Sequence, residues 1–225
     1  MGRRIREQGG DLLLKHGDPV NIITELALEV GASTVYWSRA VEPHCRCDEA
    51  ALASALETHG IGSEGFAGNL LFAPEMIQNR SGAPFRVFTP FWKHCLANCS
   101  GMRAPTGPVS PEFSTDLPDG DALDDWGLLP THPNWASGLK ETWQPGEAAG
   151  QALLHEFVAK VSRYSAGRNF PAEDATSRLS PYLHFGNISA AQAFAASGRE
   201  PDQGVAAFQR EVGWREFSAH LLVHF

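Results

Sequence analysis

Hydroxyl groups, arginines and turn-forming residues are crowded into residues 164–189, between two segments with helical periodicity. Pro171 and the acidic pair that follows it predict a turn, and Thr176 and Ser177 then predict the polar start of a helix. The free backbone N–H groups at such a start suit a phosphate or another anion. An ordinary capped helix explains the same residues, because Ser and Thr are common at helix starts. Composition alone favours this ordinary helix.

A second group of chemically useful side chains lies near the end of the sequence. Glu211, Trp214 and Arg215 stand at positions i, i+3 and i+4. In a helix, this spacing places a carboxylate, an indole and a guanidinium on one face. Phe208 lies on the same side, one turn earlier. Spacing alone favours a buried network, or a solvent-facing ion pair beside a core tryptophan, over a binding site.

The residue order in both stretches resembles the flavin-binding domain of the DNA photolyase and cryptochrome family. The resemblance rests on Tyr164, Arg168, Phe170-Pro171, the run Thr-Ser-Arg-Leu-Ser-Pro-Tyr-Leu from Thr176 to Leu183, and the block Phe-Gln-Arg-Glu-Val-Gly-Trp-Arg-Glu-Phe from Phe208 to Phe217. The order and spacing of the two blocks match the family. The similar portion extends from about Leu12 to the last residue.

The resemblance implies that FAD is the cofactor and that damaged DNA, carrying a pyrimidine dimer, is the partner. The residues that match the family's flavin contacts are Tyr164, Thr176, Ser177, Arg178, Leu179, Ser180 and Phe208. The residues that match positions facing the lesion or its backbone are Arg168, Glu211, Trp214 and Arg215. A flipped base needs an aromatic wall for stacking and polar groups that read its edges. Trp214 and Glu211 are suitable types for these tasks.

The activity that the resemblance implies is that of a deoxyribodipyrimidine photolyase, which repairs cyclobutane pyrimidine dimers by light-driven electron transfer from reduced FAD. The flavin carries this chemistry, so we expect no catalytic protein residue. Two alternatives stay open. One is a cryptochrome-type blue-light receptor without repair activity, and the other is a non-catalytic nucleotide-binding module. Glu211 and Trp214 together favour repair, since a light receptor need not keep a lesion-reading pair.

The resemblance covers only part of the family's fold. It implies that the start of the family's antenna domain and the second half of its FAD-binding domain have no counterpart here, so we expect a fragment of a photolyase-like protein. Family members with a folate antenna carry an Asn-Glu pair where this sequence has Pro43-His44. The antenna chromophore is therefore left unassigned.

Residues 1–98 show the alternating patterns of an α/β domain. The predicted elements are strands at residues 11–14, 33–37 and 68–72 and helices at residues 20–30 and 48–59. Gly31 is the expected C-terminal cap of the first helix. This β-α-β alternation is typical of a parallel sheet with helices packed on it. We interpret the region as a partial, Rossmann-like antenna domain.

The rest of the sequence predicts a linker and then a helical domain. Residues 99–140 are rich in Pro, Gly and Asp, and the prolines prevent any long helix. Apolar residues such as Trp126 suggest that this interdomain linker packs against the protein surface rather than extending into solvent. Residues 141–225 show helical patterns without a convincing strand. The predicted fold class is α/β followed by all-α, and residues 141–225 form the N-terminal part of a helical FAD-binding domain.

The charge distribution limits the kinds of nucleic-acid surface that are expected. The formal net charge is −8, and residues 151–225 contain seven basic and seven acidic residues, so the whole excess falls in residues 1–150. This net charge argues against a protein whose whole surface is basic and binds nucleic acid. The neutral second part can still present a local basic face, whereas the acidic first part should stay away from phosphate.

The cysteines and the N terminus predict the compartment. Met1 to Arg6 lacks the apolar core of an export signal, so we expect Cys45, Cys47, Cys95 and Cys99 to be free thiols. Cys45 and Cys47 are too closely spaced for an ordinary zinc ligand pair, and no metal is expected. No apolar run is long enough to cross a bilayer. The sequence therefore predicts a cytoplasmic monomer without membrane contact.

Overall fold

The fold is seen in a computed structural model that describes residues 2–98, 105, 111–114, 116–198 and 202–225. The described residues divide into two compact units. The first unit lies within Met1–Trp37, His44–Phe66 and Gly107–Pro145, and the second within Ser38–Pro43, Ala67–Thr106 and Gly146–Phe225. Cys99 and part of the predicted linker, residues 99–104, 106–110 and 115, lie outside the described residues. The domain boundaries at residues 98 and 140 stay predictions.

Helices dominate both units. The helices are α1 (Gly2–Glu7), α2 (Pro19–Glu29), α3 (Pro43–Thr58), α4 (Phe88–Ala97), α5 (Ser137–Thr142), α6 (Glu147–Lys160), α7 (Tyr164–Gly167), α8 (Ser180–His184), α9 (Ala190–Ala196) and α10 (Gln203–His224). The strands are β1 (Thr34–Ser38) and β2 (Gly62–Phe66), and short 3₁₀ turns lie at Pro74–Met76, Leu123–Trp126 and Val161–Arg163. Among the described residues, no helix has both the length and the apolar character that a membrane span requires.

The first unit contains a β-α-β arrangement. In the described residues β1 and β2 form a two-stranded parallel sheet, with α3 as the crossover. The Asp18 carboxylate caps α2 by accepting a hydrogen bond from the N–H of Asn21 at 2.9 Å, and Gly31 follows the helix with a positive φ of 62°. The core of the unit consists of Ala27, Leu52, Leu56 and Ile61, packed with Val20, Ile23, Ala32, Val35 and Trp37. The helix at residues 20–30 and the strand at residues 33–37 are confirmed, and the helix predicted at residues 48–59 begins earlier, at Pro43.

The strand predicted at residues 11–14 is wrong. The carbonyl of Leu14 accepts a hydrogen bond from the Asp121 N–H at 2.7 Å, and the Asp121 carboxylate accepts one from the His16 N–H at 2.7 Å. Leu12 is 39% exposed, so the apolar run is only partly buried. A contact with one loop residue does not provide the ladder of hydrogen bonds that defines a strand.

The strand predicted at residues 68–72 is also wrong, because β2 lies earlier, at Gly62–Phe66. This strand has little apolar character, but its first N–H, that of Gly62, donates to the carbonyl of Ser33 at 2.9 Å and so joins it to the start of β1. The apolar residues Leu71 and Phe72 are instead buried in the second unit, where their N–H groups donate to the Glu216 carboxylate at 2.8 and 3.3 Å. Tertiary partners thus override the local pattern at both sites.

The second unit is built around α10, its longest helix. The Asp202 carboxylate caps α10 by accepting hydrogen bonds from the N–H groups of Gly204 and Val205 at 2.7 and 3.1 Å. A Cβ atom at Gly204 would overlap the Val161 carbonyl. The start of α10 therefore lies closer to the 3₁₀ turn at Val161–Arg163 than any residue larger than glycine would allow. From residue 141 onward, the described residues form helices and turns without a strand. The all-α prediction for this part is confirmed.

The cysteines of the described residues are free thiols, namely Cys45, Cys47 and Cys95. Cys45 and Cys47 lie in the first turns of α3 rather than in a loop. In the part of the chain that the structure describes, no group of three or more His, Cys, Asp or Glu residues is arranged to hold a metal ion.

A buried carboxyl group fixes α10 to the segment around Leu71. Glu216 is only 3% exposed, and burial raises the pKa of its carboxyl from an ordinary 4.5 to about 7. Arg215 and the N–H groups of Leu71 and Phe72 oppose this rise, because they stabilise the carboxylate. The burial effect is larger, so Glu216 changes its charge near neutral pH.

We expect Glu216 to make the protein less stable as the pH rises from 4.5 to about 7. A carboxyl with a raised folded-state pKa binds its proton more tightly in the folded protein than in the unfolded chain. Its contribution to stability is therefore complete below pH 4.5 and is lost as the pH rises through about 7. The expected loss is about 3 kcal/mol in the free energy of unfolding.

The measurement is urea unfolding between pH 4.5 and 8, followed by tryptophan fluorescence. Glu216→Gln keeps the shape of the side chain but does not titrate, so its free energy of unfolding should vary less with pH than that of the original protein. Glu156→Gln removes an exposed carboxyl in the same unit and serves as the control. Parallel pH profiles for Glu216→Gln and the original protein would show that the folded and unfolded pKa values are the same.

Candidate functional site

Four predicted site residues lie together where α10 passes α7. The guanidinium of Arg168 forms an ion pair with the Glu211 carboxylate, and its Cζ lies 5.2 Å from the centroid of the Tyr164 ring. Tyr164 in turn meets Phe208 edge to face, with the ring centroids 5.8 Å apart. The side chains of Arg168 and Glu211 are 29% and 33% exposed, whereas Tyr164 and Phe208 are buried. The ion pair of Arg168 and Glu211 is thus partly exposed to solvent, next to the buried rings of Tyr164 and Phe208.

The protonation of this cluster follows from its surroundings. Burial raises the pKa of the Tyr164 hydroxyl, and the nearby Arg168 charge only partly opposes this effect. The hydrogen bond to Glu211 raises the pKa of Arg168, because it stabilises the charged guanidinium. At neutral pH the cluster therefore offers a neutral phenol and a permanent cation, held beside the Glu211 carboxyl group.

The helix that we predicted to start at Thr176 starts instead at Ser180. Pro181 is the physical reason: it has no N–H to donate to the carbonyl four residues earlier, so it is tolerated only in the first turn of a helix. Residues 176–179 precede α8 without helical structure, and Arg178 has a φ of 52°, in the left-handed region. The backbone at Thr176 and Ser177 is therefore not a helix N terminus.

The side chains of this segment keep the chemistry of an anion site. Thr176, Arg178 and Ser180 are exposed, Ser177 is half-buried, and Leu179 is buried beneath them. The Ser177 hydroxyl accepts a long hydrogen bond of 3.4 Å from the Leu179 N–H. Three hydroxyls and one guanidinium within five residues match the oxygens of a diphosphate. This donor set fits the diphosphate of FAD.

The segment adjoins the Arg168 cluster through α7. A Cβ atom at Gly167 would overlap that of Ala175, so the residue before Thr176 lies directly against the helix that carries Tyr164. Lys160 also donates a hydrogen bond of 2.8 Å to the Asp174 carboxylate on the same turn. The structure therefore brings the predicted flavin residues into one region of the second unit.

Trp214 lies on the surface with a defined orientation. Its indole stacks on the ring of Phe88, with centroids 3.8 Å apart and planes 9° from parallel. Phe217 meets it edge to face at 5.9 Å. The residue is nevertheless 45% exposed. One face of Trp214 is therefore covered by protein, and its exposed area remains accessible to a ligand.

Arg215 does not join the Arg168 cluster. Its Nη1 donates a hydrogen bond to the carbonyl of Asn69 at 2.8 Å and pairs with Glu216 Oε1 at 3.2 Å. Asn69 donates from its own side chain to the Leu183 carbonyl at 2.9 Å. Arg215 thus links α10 to the segment at residue 69, while Glu211 pairs with α7.

Reasoning from the sequence missed Phe88, Asn69 and Glu216. Glu216 has a detectable signal, because it lies among the buried positions of α10, with Val212 and Ala219. A carboxylate within an apolar stripe indicates a buried polar contact. Phe88 and Asn69 have no comparable signal, since their partners are far away in the sequence.

Comparisons with known proteins place the chain among photolyase-like sequences. A sequence model of the family described as DNA photolyase matches residues 1–112. The chain is 37% identical to the deoxyribodipyrimidine photo-lyase of Agrobacterium fabrum, over 98% of this chain and 47% of that protein. The crystal structure of a bacterial class III photolyase from Agrobacterium tumefaciens matches with a TM-score of 0.92 and 37% identity, covering 100% of this chain and 48% of that one.

A cryptochrome of Synechocystis sp. PCC6803 shares the fold, with a TM-score of 0.81 at 22% identity, over 100% of this chain and 48% of that one. The chain spans about half the length of the curated relatives it matches. The fold class predicted from the sequence, α/β followed by all-α, is confirmed. The chain belongs to the DNA photolyase family, whose fold the cryptochromes share.

Proposed function

We propose that the protein takes part in the light-driven repair of cyclobutane pyrimidine dimers in DNA, as a deoxyribodipyrimidine photolyase. The observation that carries this proposal is the exposed indole of Trp214, stacked on one side and lying one helical turn from Glu211. Family membership supports the same activity, because the matched relative from Agrobacterium fabrum is named as a photo-lyase.

Each of the four predicted lesion-facing side chains contributes to lesion binding in a different way. The open face of Trp214 offers a stacking surface for a pyrimidine that has left the base stack. Arg168 and Glu211 add hydrogen-bond donors and an acceptor for the polar edges of that pyrimidine. Because these two residues already pair with each other, they are held in place before the DNA arrives. Arg215 would act mainly through its contacts with Asn69 and Glu216.

We propose FAD as the cofactor, held by residues of the second unit. Thr176, Ser177, Arg178 and Ser180 supply donors for its diphosphate, and Leu179 anchors their segment in the core. Tyr164 and the buried Phe208 form the aromatic support beneath Arg168. When bound in its reduced form, FAD supplies the light-excited electron that splits the dimer.

The remaining predictions about the protein are part of this proposal. We propose that residues 1–98 form a partial antenna domain, residues 99–140 a linker, and residues 141–225 part of the FAD-binding domain. The antenna chromophore is left unassigned. A cytoplasmic location and a monomeric state stay predictions.

We expect Trp214→Ala to weaken the binding of dimer-containing DNA about tenfold to a hundredfold. The physical reason is the loss of a stacking contact worth roughly 1–3 kcal/mol. Binding of undamaged DNA should change far less, since phosphate contacts dominate it. Fluorescence anisotropy with two oligonucleotides, identical except for one thymine dimer, measures both affinities. Phe185→Ala removes another exposed ring of the same unit and is the control.

One result would contradict the role of Trp214, and two others would contradict the proposed function. If Trp214 is a packing residue only, the variant should unfold more easily and lose both binding activities equally. The loss in the free energy of unfolding should stay below the roughly 3–5 kcal/mol of a fully buried aromatic, because the indole is 45% exposed. If the protein retains FAD but does not prefer dimer-containing DNA, a cryptochrome-type receptor explains the family resemblance better. Binding of mononucleotides without flavin would favour a nucleotide-binding module.

The double substitution of Thr176 and Ser177 by Ala should weaken FAD binding about thirtyfold, because two hydroxyl donors worth about 1 kcal/mol each are lost. Quenching of flavin fluorescence on titration with protein measures the dissociation constant. Ser162→Ala, which removes an exposed hydroxyl outside the segment, should leave that constant unchanged. Equal FAD affinities for the double variant and the original protein would remove residues 176 and 177 from the site.

A further inference from the structure

The orientation of Trp214 is determined by a residue of another helix. Phe88, the first residue of α4, covers one face of the indole with its ring centroid 3.8 Å from that of Trp214. A separation this short, with the planes only 9° from parallel, is close stacking between two aromatic rings. Phe88 itself is buried, so the contact forms a base beneath an exposed indole.

Phe88 packs against two further aromatic side chains. It lies parallel to Trp92 at 6.4 Å and meets Phe217 edge to face at 5.8 Å. Trp92 in turn lies against the backbone that precedes Trp214, because a Cβ atom at Gly213 would be 2.7 Å from the Trp92 ring. The side chain and the backbone of the Trp214 region are thus both fixed by α4.

We propose that Phe88 is a positioning residue for lesion recognition, which fixes Trp214 as a one-sided platform for a flipped pyrimidine. This role rests on the proposed function, in which Trp214 stacks on the lesion. Phe88 does not touch the DNA. It closes one face of the indole, so that a planar ligand stacks on the other, and it limits the rotamers that the exposed side chain visits before binding.

The benefit of this contact is preorganisation. A mobile tryptophan loses conformational freedom when a ligand fixes it, whereas an indole already stacked on Phe88 loses little. Removing the ring of Phe88 while filling its space should therefore weaken binding of the lesion about twofold to tenfold. Binding of undamaged DNA through its phosphates should be unchanged, because it does not use the indole face.

The test uses the 225-residue chain and two single-stranded oligothymidylates, one with a single cyclobutane thymine dimer and one without. Phe88→Leu removes the aromatic face, and Phe88→Tyr retains it. Phe91→Leu is the matched control, because Phe91 is a buried ring of the same helix that packs on Phe217 and His220. Thermal unfolding midpoints are measured for all variants, and Phe88→Met replaces Phe88→Leu if the latter does not fold.

We expect Phe88→Leu to lower the preference for the dimer about twofold to tenfold, Phe88→Tyr to restore it, and Phe91→Leu to keep it despite a lower midpoint. The positioning role is overturned if Trp214→Ala abolishes the preference while Phe88→Leu retains it in full. It is also overturned if Phe91→Leu lowers the preference as much as Phe88→Leu, since general loss of packing then explains the effect. If the original protein shows no preference for the dimer, the proposed function fails, and this role with it.

Discussion

The buried carboxyl group of Glu216 is the contact on which the arrangement of the second unit depends. It accepts hydrogen bonds from the N–H groups of Leu71 and Phe72 and pairs with Arg215. Few other groups could satisfy two backbone donors that are buried away from water, and leaving them unpaired would be costly. The position of α10 relative to residues 69–72 is therefore tightly specified. Because Glu211 and Trp214 lie on the same helix, their placement follows from this anchor.

The candidate site combines fixed charges with fixed rings. Arg168 and Glu211 neutralise each other at the edge of the unit, over the buried rings of Tyr164 and Phe208. A pair that is about one-third exposed contributes modestly to stability, because water screens the attraction. The pair also fixes geometry, because each side chain limits the orientations of the other. The stack of Trp214 on Phe88 limits the orientations of the indole in the same way.

Much of the fold could be predicted because its signals are local. The start of α2 is marked by Asp18 and Pro19, and its end by Gly31. These residues act on the helix next to them, so the boundaries that they predict do not depend on the rest of the chain. The same is true of the apolar periodicity in the helices after residue 141. The i, i+3 spacing of Glu211 and Trp214 likewise follows from helix geometry.

Both wrong strand predictions arose where a distant partner decides the conformation, whereas the wrong helix start at Thr176 had a local cause, Pro181. Leu71 and Phe72 have the composition of a strand, but the carboxylate of Glu216 takes their N–H groups, and the less apolar residues 62–66 pair with β1 instead. The sequence by itself therefore determined α2 with its caps, the all-α character of residues 141–225 and the chemical types available at the site. Only the tertiary structure decided that Arg168 pairs with Glu211, that Arg215 binds the Asn69 carbonyl and that Phe88 supports Trp214. The physical reason is that hydrogen bonds, ion pairs and ring stacking depend on distances in space, which local periodicity does not encode.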